Sequence, residues 1–413
     1  MRLLQLCKKF PYPLKDGESL AVSYLSSAMK DLGCEVTLLS MNTTKHYFDL
    51  SQLPSSYNHY KAIHTVKVDN RLKAKDAFLN LFTTTSYHVS RFISNNFKNR
   101  LIRLLETEKY DVVQLETLYL APYIPTIRKY TTAPIVMRAH NIEHEIWERV
   151  AENSRFLPIK YYLKYLTNKL KKYEIKRLGD YDLLVAITKR DLELYRTLGY
   201  KGKAIVTPVG VDKRKYHPDY KSFQQPPSIS FIGSLDWIPN QEGLIWFLER
   251  VWKKLQISHP NLELHIAGRH APKSILELKE SGVIVHGEVA DAKAFINQHS
   301  IMIVPLQSGS GIRVKILEGM ALGKVVVTTN VGSEGIAASN GKEIMVADSP
   351  DAFLSCIETC IEHQNKLEQV GRQARRLIEQ EFDTLEIAAA LVGAYQKLIK
   401  RPRPSLKLAN RKD

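Results

Sequence analysis

The sequence predicts an α/β protein with two parallel-sheet domains, and three observations lead to that prediction. Short apolar segments alternate with segments whose apolar residues recur at helical spacing, which is the pattern of βαβ units. The chain has 413 residues, too many for one ordinary hydrophobic core. A polar, proline-bearing stretch interrupts the alternation at residues 208–227 and is predicted to be a linker. We therefore expect domains over residues 1–207 and 228–382.

The composition is that of a soluble globular protein, with 44% hydrophobic and 25% charged residues. An uninterrupted apolar run of about 18 residues is absent from the sequence, so no transmembrane helix is predicted. The N-terminal segment suits a first buried strand better than a signal peptide. The four cysteines do not form a disulfide framework, and Cys356 and Cys360 are expected to pack in the core rather than bind a metal. These features favour a cytoplasmic location.

The formal net charge of +16 favours polyanionic partners: nucleic acid, acidic lipid headgroups or phosphorylated substrates. Lysine and arginine residues concentrate in residues 155–178, where tyrosines and leucines interleave with them. Such a helix is suited to an anionic membrane surface or to nucleic acid, and it is equally consistent with a solvated helix face. A recognition helix or base-stacking motif is absent from the sequence, so nucleic acid is not the expected partner.

The first βαβ unit begins with strands at residues 3–10 and 34–41, separated by a helix that ends at Gly33. The connection from the first strand to the helix contains Gly17 and is longer than a turn requires. Open α/β sheets bind ligands at the carboxyl ends of their strands. Gly17 is therefore predicted to lie in a phosphate or acceptor loop, with a plain surface turn as the alternative. Residues 43–100 have no sustained period and are predicted to be helical and loop insertions.

Titratable residues cluster where the strand at residues 134–139 ends, from Arg138 to Glu145. We predict that His140 has a catalytic or phosphate-contacting role. A metal site formed by His140, Glu143 and His144 is an alternative, but their spacing differs from that of a helical zinc motif. A helix-capping cluster is the other alternative.

The glycine-rich turn at residues 308–311 joins an apolar strand to a helix that carries Arg313, Lys315 and Glu318. A strand, a glycine-rich turn and a helix N-terminus together form an anion site, because free backbone N–H groups and the helix dipole point at the ligand. The added cations and carboxylate predict a ligand that has both phosphate and hydroxyl groups, such as a nucleotide sugar.

Over essentially its whole length the chain resembles retaining glycosyltransferases of glycosyltransferase family 4, which have the GT-B fold. The strongest match is Gly309 to Thr329. Four shorter segments support it in the same order: Pro208–Asp212, Phe231–Gly233, Ala267–Gly268 and His286–Val289. The resemblance implies two Rossmann-like domains facing each other across a cleft, with residues 383–413 crossing back to the N-terminal domain.

The resemblance also implies roles for individual residues. Glu318 matches the second glutamate of the family's Glu-x7-Glu motif, which binds the ribose, whereas Ser310 replaces the first. Arg313 and Lys315 are expected to neutralise the diphosphate, because the arginine that usually follows the glycine of the first C-terminal strand is here Ser234. The predicted donor contacts are Gly17, Gly233, Ser234, Gly309, Ser310, Gly311, Arg313, Lys315 and Glu318, with His140 reaching the donor from the other domain.

The function implied is transfer of a sugar from a UDP- or GDP-sugar to a glycan or lipid-linked acceptor. The anomeric configuration would be retained, no metal or other cofactor would be needed, and the product would be a surface polysaccharide. Attachment to the inner face of a membrane through residues 155–178 is also expected. The alternatives are a sugar-nucleotide epimerase and a glycan-binding or scaffold protein that has lost catalysis.

Overall fold

The computed structural model describes residues 1–400, apart from residues 15, 72–79, 81, 82, 84, 85, 155 and 310 and the side chain of residue 365. The chain divides into two compact units. The N-terminal unit comprises the chain up to Pro208 together with the chain from Leu385 onward, and the C-terminal unit runs from Val209 to Thr384. Each unit contains a parallel β-sheet with helices, so the predicted class of two parallel-sheet α/β domains is confirmed.

The N-terminal unit has a seven-stranded sheet in the order β3-β2-β1-β4-β5-β6-β7. The chain therefore starts in the middle of the sheet, moves outward to β3 and returns to the other side of β1. Ligands of open α/β sheets bind at such a reversal, at the carboxyl ends of the strands. The strands are β1 Arg2–Cys7, β2 Glu35–Thr43, β3 Ala62–Val68, β4 Val112–Leu115, β5 Ile135–Ala139, β6 Leu183–Ala186 and β7 Lys203–Val206.

Helices of the N-terminal unit connect these strands and cover the sheet. Most strand residues of β1, β4 and β5 are fully buried, as expected of parallel strands with helices on both faces. The helices are α1 Gly17–Asp31, α2 Tyr87–Ser90, α3 Asn95–Thr107, α4 Ile124–Tyr130, α5 Glu143–Glu152, α6 Leu157–Arg177 and α7 Lys189–Thr197.

The C-terminal unit has a six-stranded sheet in the order β10-β9-β8-β11-β12-β13. Here the strand order reverses between β8 and β11, so the carboxyl ends of these two strands mark the expected ligand position. The strands are β8 Ser228–Ile232, β9 Glu263–Ala267, β10 Val283–Gly287, β11 Ile301–Val304, β12 Val325–Thr328 and β13 Met345–Val346. The helices are α8 Ile238–Phe247, α9 Lys253–Ser258, α10 Lys273–Leu276, α11 Ala292–Asn297, α12 Val314–Ala321, α13 Asn330–Ser333, α14 Pro350–Glu362 and α15 Gln364–Glu381.

The last helix, α16 (Thr384–Ile399), packs on the N-terminal unit. Ala388 and Leu391 are fully buried in the same apolar cluster as residues of β1 and β2. The hydroxyl of Tyr395 donates a hydrogen bond to the side-chain oxygen of Gln114, which lies in β4. Helix α16 thus contributes to the core that β1 and β2 begin.

The structure differs from the predicted elements in residues 43–100. Helices were predicted here, and α2 and the start of α3 are present, but the segment also contains the edge strand β3, which was not predicted. β3 lies at the edge of the sheet and is mostly half-buried, so its residues mix apolar and polar types and lack the apolar run of a central strand.

Residues 208–227, predicted to be a linker, group with the C-terminal unit from Val209 on and contain two short 3-10 helices, Lys213–Lys215 and Tyr220–Gln224. All four cysteines are free, and Cys360 is buried in the hydrophobic core of the C-terminal unit. Within the described residues, no helix is both long and apolar enough to cross a bilayer.

Candidate functional site

The structure places seven of the predicted residues near the reversal point of the C-terminal sheet: Gly233, Ser234, Gly309, Gly311, Arg313, Lys315 and Glu318. β11 leads into the glycine-rich turn, and α12 begins at Val314 rather than at Arg313, which has extended backbone at the N-cap. Gly309 and Gly311 have φ angles of 122° and 80°, a region that favours glycine. The third turn residue, Ser310, lies outside the described residues.

The glycine at position 309 also makes room for a cation. A Cβ atom on Gly309 would lie 2.8 Å from the Nη2 atom of Arg313. Arg313 is only 6% exposed, and its guanidinium carbon lies 5.9 Å from the ring centre of Trp237. The turn therefore holds a buried guanidinium against the glycine backbone at the start of α12.

Lys315 is the second cation, and its ammonium group lies close to Gly233 and Asn240, which both follow β8 in the chain. Its Nζ atom donates a hydrogen bond of 2.7 Å to the side-chain oxygen of Asn240. A Cβ atom on Gly233 would lie 3.3 Å from this Nζ and 2.7 Å from Asn240 Nδ2, so a larger residue would displace the pair. Burial and the charge of Arg313 lower the pKa of Lys315 to about 7. An anion bound here would favour the charged ammonium and raise that pKa.

Glu318 follows on the same helix, one turn after Lys315. Tyr216 donates a hydrogen bond of 2.7 Å from its hydroxyl to Glu318 Oε1. Burial raises the pKa of Glu318, although this hydrogen bond and the charge of Lys293 act in the opposite direction. The carboxyl group can accept hydrogen bonds from ligand hydroxyls when it is ionised. Gly233, Ser234, Trp237, Asn240, Arg313, Lys315 and Glu318 are called the Lys315 cluster below.

A second cluster lies in the N-terminal unit and centres on Glu116, directly after β4. Its fully buried carboxylate accepts hydrogen bonds from Arg138 Nη1 at 3.1 Å and His140 Nε2 at 2.8 Å. The amide groups of Gln5 and Gln114 also donate to it. Burial alone would raise the pKa of Glu116, but Arg138 and His140 outweigh burial and lower it to about 2. These five residues are called the Glu116 cluster.

His140 is held in this cluster as a neutral ring. Burial and the charge of Arg138 lower the pKa of His140, against the opposing effect of Glu116. An ionised carboxylate only accepts hydrogen bonds, so the proton of the neutral imidazole lies on Nε2. Nδ1 of His140 then carries the lone pair and can accept a hydrogen bond from a ligand hydroxyl.

The alternative of a metal site at His140, Glu143 and His144 has no support in the contacts of these residues. His144 Nδ1 lies 2.7 Å from Glu174, and Glu143 accepts a hydrogen bond of 2.8 Å from Tyr119, so each side chain has a different partner. The Glu174 carboxylate also accepts from the backbone N–H groups of Glu143 and His144 at 3.3 Å. It thereby caps helix α5, a role that the sequence did not reveal.

Gly17 and Ser234, the two remaining predicted donor contacts, have few contacts with other side chains in the described chain. Gly17 is the first residue of α1, and a Cβ atom added there would meet no atom of the described chain within 4 Å. Ser234 donates a hydrogen bond of 2.6 Å to Asp236, while its backbone oxygen accepts one of 2.8 Å from Asn240. Ser234 thus belongs to the Lys315 cluster, whereas Gly17 and His140 belong to the other unit.

Sequence reasoning missed three functional candidates: Glu116, Tyr216 and Asn240. Each contacts a predicted residue that is 24 to 102 positions away along the chain. The only signal was position, because the apolar run at residues 111–116 predicts a buried strand and Glu116 is its last residue.

Comparison with known proteins assigns a family to both units. Residues 17–215 match the family model described as Glycosyltransferase Family 4. Residues 226–363 match the model described as Glycosyl transferases group 1. The two matches follow one another along the chain and together cover most of it.

Individual relatives are more distant. The chain is 26% identical over 310 residues to an uncharacterised 44.6 kDa protein in the cps region of Klebsiella pneumoniae, covering 71% of this chain and 76% of that protein. It is 22% identical over 214 residues to the lipopolysaccharide core biosynthesis mannosyltransferase LpsB of Rhizobium meliloti, covering 46% of this chain and 60% of that protein.

Among solved structures, Anabaena HepE in complex with UDP matches with a TM-score of 0.68 at 16% identity, over 96% of this chain and 100% of that one. At this identity the likeness shows only that the two proteins share a fold, which has two Rossmann-like domains. The order of the sequence motifs, the two parallel sheets and the two family models all point to the same family. The chain belongs to glycosyltransferase family 4 and is a glycosyltransferase of the hexosyltransferase type.

Proposed function

We propose that this glycosyltransferase moves a hexose from a UDP- or GDP-sugar to a glycan or lipid-linked acceptor during surface polysaccharide synthesis. The observation that carries the proposal is the Lys315 cluster, in which the buried Arg313, the half-buried Lys315 and a carboxylate lie together where a glycine-rich turn leads into α12. HepE has been solved with UDP and with UDP-glucose, which supports a nucleotide-sugar donor. LpsB, which is named for lipopolysaccharide core biosynthesis, supports the surface-glycan role.

Arg313 and Lys315 would bind the donor diphosphate. Negative charge grows on the diphosphate as the sugar leaves, and preorganised cations and backbone N–H groups stabilise that charge. The N–H groups near Gly309 and Gly311 would contribute the remaining donors, together with those of Gly233 and Ser234. In this proposal the protein's own cations take the place of a metal ion.

Glu318 would bind the ribose hydroxyls of the donor. Its carboxylate lies one helical turn from Lys315, so a ligand that places its diphosphate at Lys315 would bring its adjoining ribose near Glu318. Tyr216 would hold the carboxylate in position through its 2.7 Å hydrogen bond. The contribution of Ser310 to the donor sugar stays a prediction, as do those of Gly17 and His140.

In the reaction we propose, the bond between the anomeric carbon and the diphosphate oxygen breaks. A bond from the acceptor hydroxyl oxygen to that carbon forms on the same face, so the configuration is retained. The acceptor's proton passes to the leaving diphosphate. Proton NMR of the first product formed would reveal its anomeric configuration, and an inverted product would contradict retention.

We also propose that the start of helix α6 docks on an anionic membrane surface. Phe156, Leu157 and Tyr161 are 62%, 63% and 70% exposed, and Lys160 and Lys164 lie beside them on the chain. Exposed apolar side chains next to lysines are suited to a lipid interface. Co-sedimentation with vesicles containing anionic lipid should therefore fall as salt is added.

A matched pair of variants tests the membrane contact. Tyr161→Ser should reduce sedimentation, whereas Ile257→Ser, which removes an 85% exposed residue of the other unit, should not. Equal sedimentation of the two variants, or binding that ignores salt, would remove the membrane from the proposal.

The donor proposal is tested by a thermal-shift screen of nucleoside diphosphates and sugar nucleotides, followed by calorimetry on the best ligand. Selective stabilisation by UDP, GDP or their sugars is expected. Failure of every nucleotide to bind would contradict the proposal. Conversion of the sugar nucleotide without any acceptor would identify an epimerase, and tight glycan binding without turnover would identify a scaffold protein.

A further inference from the structure

A pocket of about 610 Å³ is lined by residues of the N-terminal unit. Lys8 and Lys9 directly follow β1, and Lys45 lies just beyond β2. Tyr119 follows β4, on the other side of the strand reversal. The pocket thus occupies the carboxyl edge of the N-terminal sheet, where α/β sheets bind ligands.

The charges that line this pocket are mostly positive. Lys8 pairs with Glu18 at 3.2 Å and Lys9 pairs with Asp16 at 2.6 Å. Arg71 pairs with Asp69 at 2.9 Å. The two remaining cations of the lining, Lys45 and Arg91, form no ion pair in the part of the chain that the structure describes. The pocket therefore has an excess of positive charge before any ligand arrives.

Arg91 is the more informative of these two cations because it is partly buried. Its Nη1 atom donates a hydrogen bond to the backbone oxygen of Asn70 at 3.4 Å, and its Nε atom is buried without a hydrogen-bond partner among the described residues. Burial lowers the pKa of Arg91, and Tyr119 and Tyr87 oppose that effect, but no carboxylate contributes. The guanidinium carbon lies 5.6 Å and 5.8 Å from the ring centres of Tyr87 and Phe92, which attract the charge without neutralising it, so an anionic ligand would suit this position.

Aromatic side chains form another wall of the pocket. The rings of Phe92 and Tyr119 are 5.1 Å apart, and Trp147 donates a hydrogen bond of 3.3 Å to the Tyr119 hydroxyl. The ammonium of Lys8 lies 4.8 Å from the Tyr119 ring centre. Aromatic faces with a few fixed polar groups suit a ligand that has both apolar ring faces and hydroxyls, as a sugar has.

We propose that this pocket binds the acceptor of the transfer, and that the acceptor carries a phosphoryl group next to its sugar. Arg91 and Lys45 bind the phosphoryl oxygens, and the aromatic wall packs against the sugar ring. Because the Nε atom of Arg91 is buried, the hydrogen bonds to the phosphoryl oxygens would come from its Nη groups. The inference rests on the proposed function, since it names the acceptor class of that reaction.

The test is calorimetric titration of the full chain with glucose 1-phosphate while the donor site is saturated with UDP or GDP. We expect binding by the unaltered protein and an affinity about tenfold lower or more for Arg91→Gln, because a charge-assisted hydrogen bond is lost. Lys45→Ala, at an exposed position that does not endanger folding, should weaken binding by up to about fivefold. Arg103→Gln removes an equal charge from the surface of the same unit and should leave the affinity unchanged.

Two further ligands define the chemistry. Glucose should bind much more weakly than glucose 1-phosphate, and binding of glucuronic acid as tight as that of glucose 1-phosphate would overturn the phosphoryl assignment. A glucosyl diphosphoprenol in detergent micelles then identifies the source of the phosphate. Tighter binding of this lipid supports a lipid-linked acceptor, and equal binding supports a water-soluble one. Unchanged affinity in both Arg91→Gln and Lys45→Ala would overturn the proposal.

The donor and acceptor proposals fail separately. A protein that binds UDP or GDP but not glucose 1-phosphate or the lipid loses this inference alone. A protein that binds neither UDP nor GDP loses the proposed donor site, whatever its N-terminal pocket binds.

Discussion

Each of the two sheets carries an ionisable group with a shifted pKa beyond the strands where the strand order reverses, but the surroundings of the two groups differ. Glu116 accepts hydrogen bonds from four side chains, among them the guanidinium of Arg138, and its pKa falls to about 2. In the described part of the chain, the ammonium of Lys315 donates one hydrogen bond, to Asn240. A second cation, Arg313, lies near enough to help lower its pKa to about 7.

This difference in surroundings suggests different roles: the charge of Glu116 stabilises the fold, and the charge of Lys315 serves ligand binding. The folded chain supplies everything that the Glu116 carboxylate needs, so the Glu116 cluster is stable without a ligand. The ammonium of Lys315, in contrast, lies close to a second cation, Arg313, and together with desolvation this makes the charged form of Lys315 unfavourable in the ligand-free protein. A bound diphosphate would make the charged form favourable. Four variants and one binding experiment test this contrast.

The largest effect on stability is expected from Glu116→Ala. This change leaves the guanidinium of Arg138 buried without its carboxylate, which should cost about 3–5 kcal/mol of the free energy of unfolding. Urea unfolding followed by circular dichroism measures the loss, with the exposed Glu106→Ala as the control. Because the pKa of Glu116 is lowered, its stabilisation is present above about pH 4.3 and is lost as the pH falls toward 2. A loss no larger than that of the control would contradict the structural role.

Arg313→Ala should have the largest effect on catalysis. Loss of one preorganised donor to the leaving group typically lowers the rate by about 10²–10³, or about 2.7–4 kcal/mol. Radiolabelled sugar transfer measures the rate, and the melting temperature shows whether the fold survives. The exposed Arg250→Ala of the same unit should retain full activity. Near-normal turnover by Arg313→Ala would remove this residue from the mechanism.

Glu318→Ala should weaken nucleotide binding, because the ribose loses hydrogen bonds to a charged acceptor. Such bonds contribute about 1.5–3 kcal/mol, so the dissociation constant should rise at least tenfold. Calorimetry with the preferred nucleoside diphosphate measures the change, and the exposed Glu277→Ala serves as the reference. An affinity equal to the reference would rule out the ribose contact.

The smallest expected effect is a gain rather than a loss. Lys315→Met should raise the free energy of unfolding of the ligand-free protein. The pKa of Lys315 is lowered from 10.5 to about 7, so the unfolded chain gains a proton between these values that the folded chain does not. Stability is therefore lost as the pH falls from 10.5 toward 7. A methionine removes this penalty, and we expect a gain of about 0.5–2 kcal/mol at neutral pH together with a loss of activity. A destabilised variant would mean that Lys315 is compensated within the fold.

The sequence was most informative where local pattern determines structure. The apolar strands, the glycine-rich turn and the position of Arg313 and Lys315 at the start of α12 could be predicted, because turn geometry and helical spacing act over a few residues. The edge strand β3 was missed because half-buried residues give no apolar run.

The partners of the predicted site residues were missed for a different reason. Glu116, Tyr216 and Asn240 reach their positions through the order of strands in the sheets, which brings together residues far apart in the chain. A pattern read along the sequence does not contain that information.

Proton uptake on nucleotide binding tests the central claim most directly. At pH 8 the free Lys315 is mostly neutral, since its pKa is about 7, and a bound diphosphate should raise that pKa and hold the ammonium charged. Calorimetry in two buffers of different ionisation enthalpy should then show uptake that approaches one proton at pH 8, little uptake at pH 6, and none at pH 8 for Lys315→Arg, which is always charged. Nucleotide binding at pH 8 without proton uptake by the unaltered protein would contradict the account.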